Sequence, residues 1–339
     1  MFVPLCRLTG HGADVTRGRI SPDLSSIATG SADKSLFVWD PRTGLPIRSL
    51  LGHSQEVSDL VYHGSGNGLL SASLDGNIRL FDLRCSSSSA CLSFPQSSMH
   101  SEHKDEFTCV TTGRSANSPL IAAGTTGGVI RFFDLRLNIM QVSTFAHYNS
   151  ICSLEMSSDD SMLISSCLDG TIRIWSATRG DCLMSVTDGK SNPSPCVFAG
   201  FMDGKDEFVG LFLDSSVRHW DLNDRIHSRG RITGPTMTNS TKTFARIQDG
   251  IGVPSEDGLV YFLDPYTGKE LQPHTKAHAD DVLSVDCYED LMISTGAGED
   301  SSAVLWLRTS TEPEASAIVK SPDYSVSYNL VSPQIEGLV

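Results

Sequence analysis

An aspartate or glycine followed six residues later by an aromatic or apolar residue recurs along this chain at a nearly constant spacing. The pairs are Asp33/Trp39, Asp75/Phe81, Gly127/Phe133, Asp169/Trp175, Asp214/Trp220, Asp257/Leu263 and Asp300/Trp306. Their second members lie 42, 52, 42, 45, 43 and 43 residues apart, which divides the chain into seven units. A unit this short cannot bury its apolar face alone, so each must pack on its neighbours. A repeat array can therefore run 339 residues as one domain, where that length would ordinarily suggest two.

The first unit, Leu8 to Asp40, sets the grammar: Gly10-His11, an apolar alternation broken at Ser21-Pro22-Asp23, a small-residue strand, a turn at Asp33, then Trp39-Asp40. Gly-His early and Trp-Asp late, at a period near 40 to 45, resemble the WD-repeat family over residues 2 to about 308. The resemblance implies an all-β, seven-bladed WD-repeat β-propeller, with residues 1–308 as the propeller and Phe2 to Leu8 as the outer strand that closes the last blade. In that family a His, a Ser or Thr, the turn Asp and the Trp form a hydrogen-bonded chain within a blade. Full candidates here are His11/Thr29/Asp33/Trp39 and His147/Ser165/Asp169/Trp175. Unit three has Gly127 in place of the turn Asp, units five and six lack Gly-His, and Leu263 takes the Trp position in unit six.

One interval breaks the period, and most of its excess lies in one stretch. Cys85 to Glu106 reads as a surface loop, and its His100-x-x-His103 lacks further ligands at fixed spacing. Asp224 to Thr243 is polar and turn-rich. Residues 309–339, rich in Ser, Pro and Glu, are expected to be a disordered tail, with Ser321-Pro322 and Ser332-Pro333 as candidate sites of proline-directed phosphorylation.

With 26 basic and 40 acidic residues the net charge is −14, which repels nucleic-acid phosphate and steers basic peptides to the surface. No apolar run approaches the ~20 residues of a membrane span, and Met1-Phe2-Val3-Pro4-Leu5 lacks the charged and apolar regions of a signal peptide, so an intracellular chain is expected. Asn239-Ser240-Thr241 is then an idle sequon. The nine cysteines (Cys6, Cys85, Cys91, Cys109, Cys152, Cys167, Cys182, Cys196 and Cys287) include no C-x-x-C pair, which points to core thiols rather than a disulfide framework or a zinc site. No phosphate loop, G-x-S-x-G or H-E-x-x-H is present, and His274 and His278 lie on a strand connection. Neither catalysis, nor a metal, nor a cofactor is expected.

The stretches DGTIRIWSATRGDCLMSV, NPSPCVFAGF, LDSSVRHWDL, SEDGLVYFLD, GAGEDSSAVLWL and GSADKSLFVWD are similar to the WD-repeat subunit of COMPASS and MLL-type histone H3 lysine methyltransferase complexes. That resemblance implies a nuclear scaffold, with the cytoplasm as alternative, whose protein partners dock on the top face around the channel. The channel-facing position, five residues after each Gly-His histidine, holds Thr16, Ser58, Thr108, Cys152 and Leu283. In the family two phenylalanines clamp a partner's arginine. One is expected at Thr108, where this chain departs, with Phe107 adjacent; the other maps to Phe244, which reads equally as strand core. Two rival resemblances are the mitogen-activated protein kinase organizer family, through the early GSADKSLFVWDP and Phe133-Asp134-Leu135-Arg136, and cullin-4 substrate receptors. The second rests on W-D-x-R boxes at Trp39-Asp40-Pro41-Arg42, Phe81-Asp82-Leu83-Arg84 and Phe133-Asp134-Leu135-Arg136.

Overall fold

Unit one shows how the pattern becomes structure: strands Val15–Ile20, Ile27–Ser31, Leu36–Trp39 and Pro46–Leu50 form one antiparallel sheet. Neighbouring residues point to opposite faces, as the pleat requires. Ala28, Leu36, Val38 and Leu50 join Val57, Leu60, Leu69 and Phe81 of unit two, whereas Ile27 and Trp39 join Ile293 and Leu305 of unit seven. The structure, a computed structural model, describes residues 1–85, 87–95, 106–115, 118–136, 139–187, 192–202, 206–222, 231–233, 235–238, 243–248, 250–298 and 300–309. Across them lie seven four-stranded sheets. None of these residues is helical, and no helix is long and apolar enough to cross a membrane.

Each apolar core cluster straddles two adjacent blades, and together the clusters account for all seven seams of a closed ring. The approach is close enough that a Cβ on Gly30 would stand 2.8 Å from the Val57 side chain of the next blade. The ring closes through Phe2–Leu8, which pairs antiparallel with Ala303–Arg308 as the outer strand of blade seven. Phe2 also stacks on Phe262 of blade six, centroids 5.5 Å apart, and Met1 and Thr309 exchange backbone hydrogen bonds of 2.8 and 3.0 Å.

Two outer strands lie where the sequence reads as polar connection. Leu92–Pro95, within the Cys85 to Glu106 stretch that reads as a surface loop, pairs with Asn77–Leu80, because Leu92 and Phe94 supply a short apolar alternation that packs on blade two. Arg231–Thr233 likewise completes blade five. Blade six has the shortest inner strand, Ala245–Ile247. His100, His103, the Asn239 sequon, Ser321 and Ser332 lie outside the described residues.

Polar side chains inside three blades form one recurring chain. In blade one the Trp39 indole N–H donates to Thr29 Oγ1 at 2.8 Å, which lies 2.8 Å from His11 Nε2. His11 Nδ1 faces Ser35 Oγ at 3.0 Å and Asp33 Oδ2 at 3.3 Å. In blade four Trp175 and His147 meet on Ser165 at 2.8 and 2.7 Å, and His147 Nδ1 meets Thr171 at 2.9 Å and Asp169 at 3.4 Å. Blade seven holds a third full set, Trp306, Ser294, His278 and Asp300, at 3.0, 3.0 and 3.1 Å. Blade two has His53 between Ser71 and Asp75, with Phe81 in the Trp place. The hydroxyl accepts from the indole, and each histidine ring bridges that hydroxyl at Nε2 and the turn hydroxyl or aspartate at Nδ1.

Removing the aspartate leaves buried donors unpaired, at about 1–3 kcal/mol. Asp33→Ala and Asp169→Ala are each expected to lower stability by that amount in denaturant unfolding; unchanged midpoints in both would contradict the role. Burial opposes ionisation of Asp33, Asp75, Asp169 and Asp300, yet donated hydrogen bonds outweigh it and hold all four below the ordinary carboxylate value. Burial lowers the His11 value against the pull of Asp33. Groups depressed by folding add stability above their unfolded pKa and lose it as pH falls. Thermal stability is therefore expected to decline on acidification, first below about pH 6.5 through His11 and more steeply below about pH 4 through the carboxylates. A melting temperature that rises between pH 7 and pH 5 would contradict this.

Candidate docking site at the channel mouth

The seven inner strands line the central channel, and six of them carry a β-bulge at their first residues. Register slips between Val15 and Arg17, Val57 and Asp59, Phe107 and Cys109, Ile151 and Ser153, Cys196 and Phe198, and Val282 and Ser284. The bulged residues are Thr16, Ser58, Thr108, Cys152, Val197 and Leu283. Blade six differs: Gly252 follows Ile251, the partner of Leu263, as Ala28 follows Ile27, the partner of Trp39, so Ala245 matches Arg19 and Phe244 matches Gly18, two residues past the bulge position. A bulge re-aims its side chain, and here the aim is toward the next blade. Thr16 Oγ1 donates to Val57 O at 2.6 Å, Ser58 Oγ to Phe107 O at 2.7 Å, and Thr108 Oγ1 to Ile151 O at 2.6 Å. Cys152, Phe244 and Leu283 are buried. Phe244 meets Phe198 edge to face at 4.8 Å with the Arg246 guanidinium 5.8 Å from its ring, and Phe107 lies fully buried with Arg131 5.5 Å away.

A second layer of stitches lies one step deeper. Asp59 binds buried Arg17 at 3.1 Å and accepts from Val110 N–H at 3.0 Å. Ser153 accepts from Ala199 N–H at 3.0 Å, and Asp286 from Ile20 N–H at 3.0 Å. The channel-lining polar groups thus largely hold blade to blade.

A set of carboxylates lies just ahead of the bulges. The residue before the inner strand accepts, through its carbonyl, the N–H of a turn residue: Ala32 to Asp14, Leu74 to Glu56, Thr126 to Glu106, Leu168 to Ser150, Leu213 to Pro195 and Ala297 to Asp281. That shared bond makes the six positions equivalent. In blades seven, one, two and three, consecutive around the ring, the residue is Asp281, Asp14, Glu56 and Glu106, and all four are half-buried. Asp14 also accepts from Gly298 N–H at 2.9 Å. Burial, then the Asp14 carboxylate, push the Glu56 carboxyl above its ordinary value.

The other end of the channel opens into a cavity of about 1070 Å³ at the ends of the inner strands. Several of its charges are paired: Arg114 meets Glu155 at 2.7 Å, Arg246 bonds the same carboxylate, and Arg19 stands 3.8 Å from both Asp59 and Asp286, while Glu289 and Asp290 add two further carboxylates to the lining. Elsewhere, the W-D-x-R boxes place Arg84 and Arg136 in bidentate pairs with Asp82 and Asp134, while Arg42 meets Asp40 through its backbone N–H. His147, Cys167 and Asp169 bring ligand-type atoms within 4.8 Å of one another. They belong to the blade-four chain, and burial pushes the Cys167 thiol up to about 12, against the thiolate a metal needs.

Sequence reasoning singled out five of the six bulge positions, without Val197, and missed the acidic arc two residues before them. It also missed the blade-seven set, because Ser294 lies 16 residues after His278 where Thr29 and Ser165 lie 18 after theirs. The constant offset of 22 from His to Asp was the available signal. Thr108→Val is expected to lower stability by about 1 kcal/mol, since two backbone carbonyls lose their hydroxyl donor. A variant with unchanged stability but weakened partner binding would show that Thr108 serves the partner instead.

The family model for the WD domain, G-beta repeat, matches residues 2–40, and that for the Nucleolar protein 10-like N-terminal domain matches residues 45–202. Periodic tryptophan protein 2 of Arabidopsis thaliana is 26% identical over 71% of this chain, covering 26% of its own length. Protein tipD of Dictyostelium discoideum is 24% identical over 63% of the chain and 34% of its own length. The Periodic tryptophan protein 2 homolog of the same organism is 25% identical over 63% and 22%. The chain thus spans about a third or less of these curated relatives. With seven four-stranded blades closed by the N-terminal strand and a G-beta repeat matched on the first, the chain is a seven-bladed WD-repeat β-propeller.

Proposed function

We propose that this propeller is a non-catalytic scaffold that docks a basic segment of a protein partner on the acidic arc of the channel mouth, within a multi-subunit nuclear assembly. The observation that carries the reading is Glu56 beside Asp14. A carboxyl whose pKa folding raises destabilises the fold while ionised. Four successive blades nevertheless keep an acid at this position, and a cationic partner relieves the repulsion while being steered in by the net charge of −14. The His, Ser and Asp groups from which a hydrolytic site could be assembled are engaged in the blade chains, which supports a scaffold over an enzyme. The nucleolar name of one matching family model supports the nuclear setting.

Membership of a histone H3 lysine methyltransferase complex has the sequence resemblance behind it. It lacks an arginine slot: Thr108 is bonded to Gly124 and Ile151, and the Phe244 ring is in contact with Phe198. The match to the Nucleolar protein 10-like model favours a different assembly, so this reading ranks second.

The test is parallel affinity purification of the tagged chain and its Glu56→Gln/Glu106→Gln variant from native cells, with quantitative mass spectrometry. The variant is expected to melt no lower than the wild type and to lose a salt-sensitive partner at least tenfold. Equal recovery of every partner would contradict the docking site. Recovery of a SET-domain methyltransferase, of kinase-cascade proteins or of the cullin adaptor, untouched by the substitutions, would transfer the chain to that assembly.

A further inference from the structure

Blades two, three, four and five each carry an arginine on the third strand, four residues after the turn position: Arg79, Arg131, Arg173 and Arg218. In blades two to four the outer-strand residue paired with it is a serine, Ser93, Ser143 and Ser185. Arg173 shows one contact of this position, donating from Nη1 to Ala146 O at 2.6 Å. Ala146 immediately precedes the chain histidine His147, so the arginine fixes the backbone from which that ring projects. A Cβ on Gly52, which precedes His53, would stand 3.0 Å from Arg79 Nη1, which places the blade-two arginine at the same spot.

Blade seven reverses the arrangement. Its third strand has Val304 at the matching place, and the outer-strand partner of Val304 is Arg7. Arg7 Nη2 reaches Ala277 O at 3.4 Å, the carbonyl before His278, and Nη1 donates to Ser302 Oγ at 2.8 Å and to the Asp300 carboxylate. The acceptor on the backbone is the equivalent one. The N–H groups of Ala146 and Ala277 likewise donate to matching glycine carbonyls, Gly128 O and Gly258 O, at 2.9 Å. The difference is one of chain order: Arg173 lies within its own repeat, whereas Arg7 comes from the other end of the chain, 293 residues from Asp300.

We propose that Arg7 is a positioning residue that replaces the missing third-strand arginine of blade seven, making the Trp306–Ser294–His278–Asp300 chain conditional on docking of the N-terminal strand. Ring closure and completion of the last blade's polar core are then one event. Before the strand docks, Asp300 lacks its cation and Ala277 O lacks a donor; after docking, both are satisfied, and the strand is held by a charged contact as well as by its ladder.

The swap that blades two to four suggest tests the idea. Hydrogen exchange of the indole N–H groups is followed by NMR on full-length protein labelled at tryptophan, with Trp175 as the internal reference. In Arg7→Ser, Trp306 is expected to exchange at least tenfold faster while Trp175 is unchanged. In Arg7→Ser/Val304→Arg, which recreates the order of blade four, Trp306 is expected to return to within a few-fold of the wild type. If Arg7→Ser does not fold, recovery of folding by the double variant supports the assignment equally. Unaltered Trp306 exchange in Arg7→Ser, or a double variant no better than the single one, would overturn it.

Discussion

No blade of this propeller has a covered face of its own. Each sheet presents apolar side chains on both sides, Ile27 and Trp39 to one neighbour and Ala28 and Leu36 to the other, and each large side chain so buried contributes roughly 1.5–3 kcal/mol only if that neighbour is present. The seams depend on one another around the ring. An open array would expose one sheet edge and two apolar faces, so the strand Phe2–Leu8 matters beyond its size: it fills the edge of blade seven and places Phe2 against blade six.

Closing the ring brings seven inner strands together around a channel, where backbone groups at the bulges would lie unpaired. The chain answers with side chains: the hydroxyls of Thr16, Ser58 and Thr108 give donors to the next blade, and Asp59, Ser153 and Asp286 give acceptors. Residues consumed in this way are poorly placed to recognise a partner. The proposed docking surface therefore lies outside them, on the carboxylates that precede the strands. Of these, Asp14 and Glu56 lie where a rigid frame holds like charges close, an arrangement that weakens the fold slightly and that a basic ligand would relieve.

Most of this frame was legible in the sequence, for physical reasons. The turn aspartate and the tryptophan face the same buried chain, so their offset of six is set by one strand and one tight turn, and it survives in every unit even where the residues change. Outer strands were legible only where they alternate strongly. Leu92–Pro95 and Arg231–Thr233 are short edge strands inside polar stretches, since an edge needs few apolar contacts. Blade seven hid its hydroxyl because the two strand connections trade two residues, moving Ser294 relative to both His278 and Trp306. The direction of the bulged side chains was invisible, because a bulge breaks the alternation from which facing is read. The acidic arc became apparent only once six equivalent carbonyl bonds aligned the residues that form it.

Carboxyl footprinting is the most direct measure of whether this arc is the docking surface. The propeller, alone and in its native complex, is labelled with a carbodiimide and an amine, and each acid is quantified by mass spectrometry. The account requires that complex formation protect Asp14, Glu56, Glu106 and Asp281 while Glu289 and Asp290, at the opposite opening, keep their labelling. Protection of Glu289 and Asp290 with the mouth carboxylates still fully labelled would place the partner at the other end of the channel and contradict it.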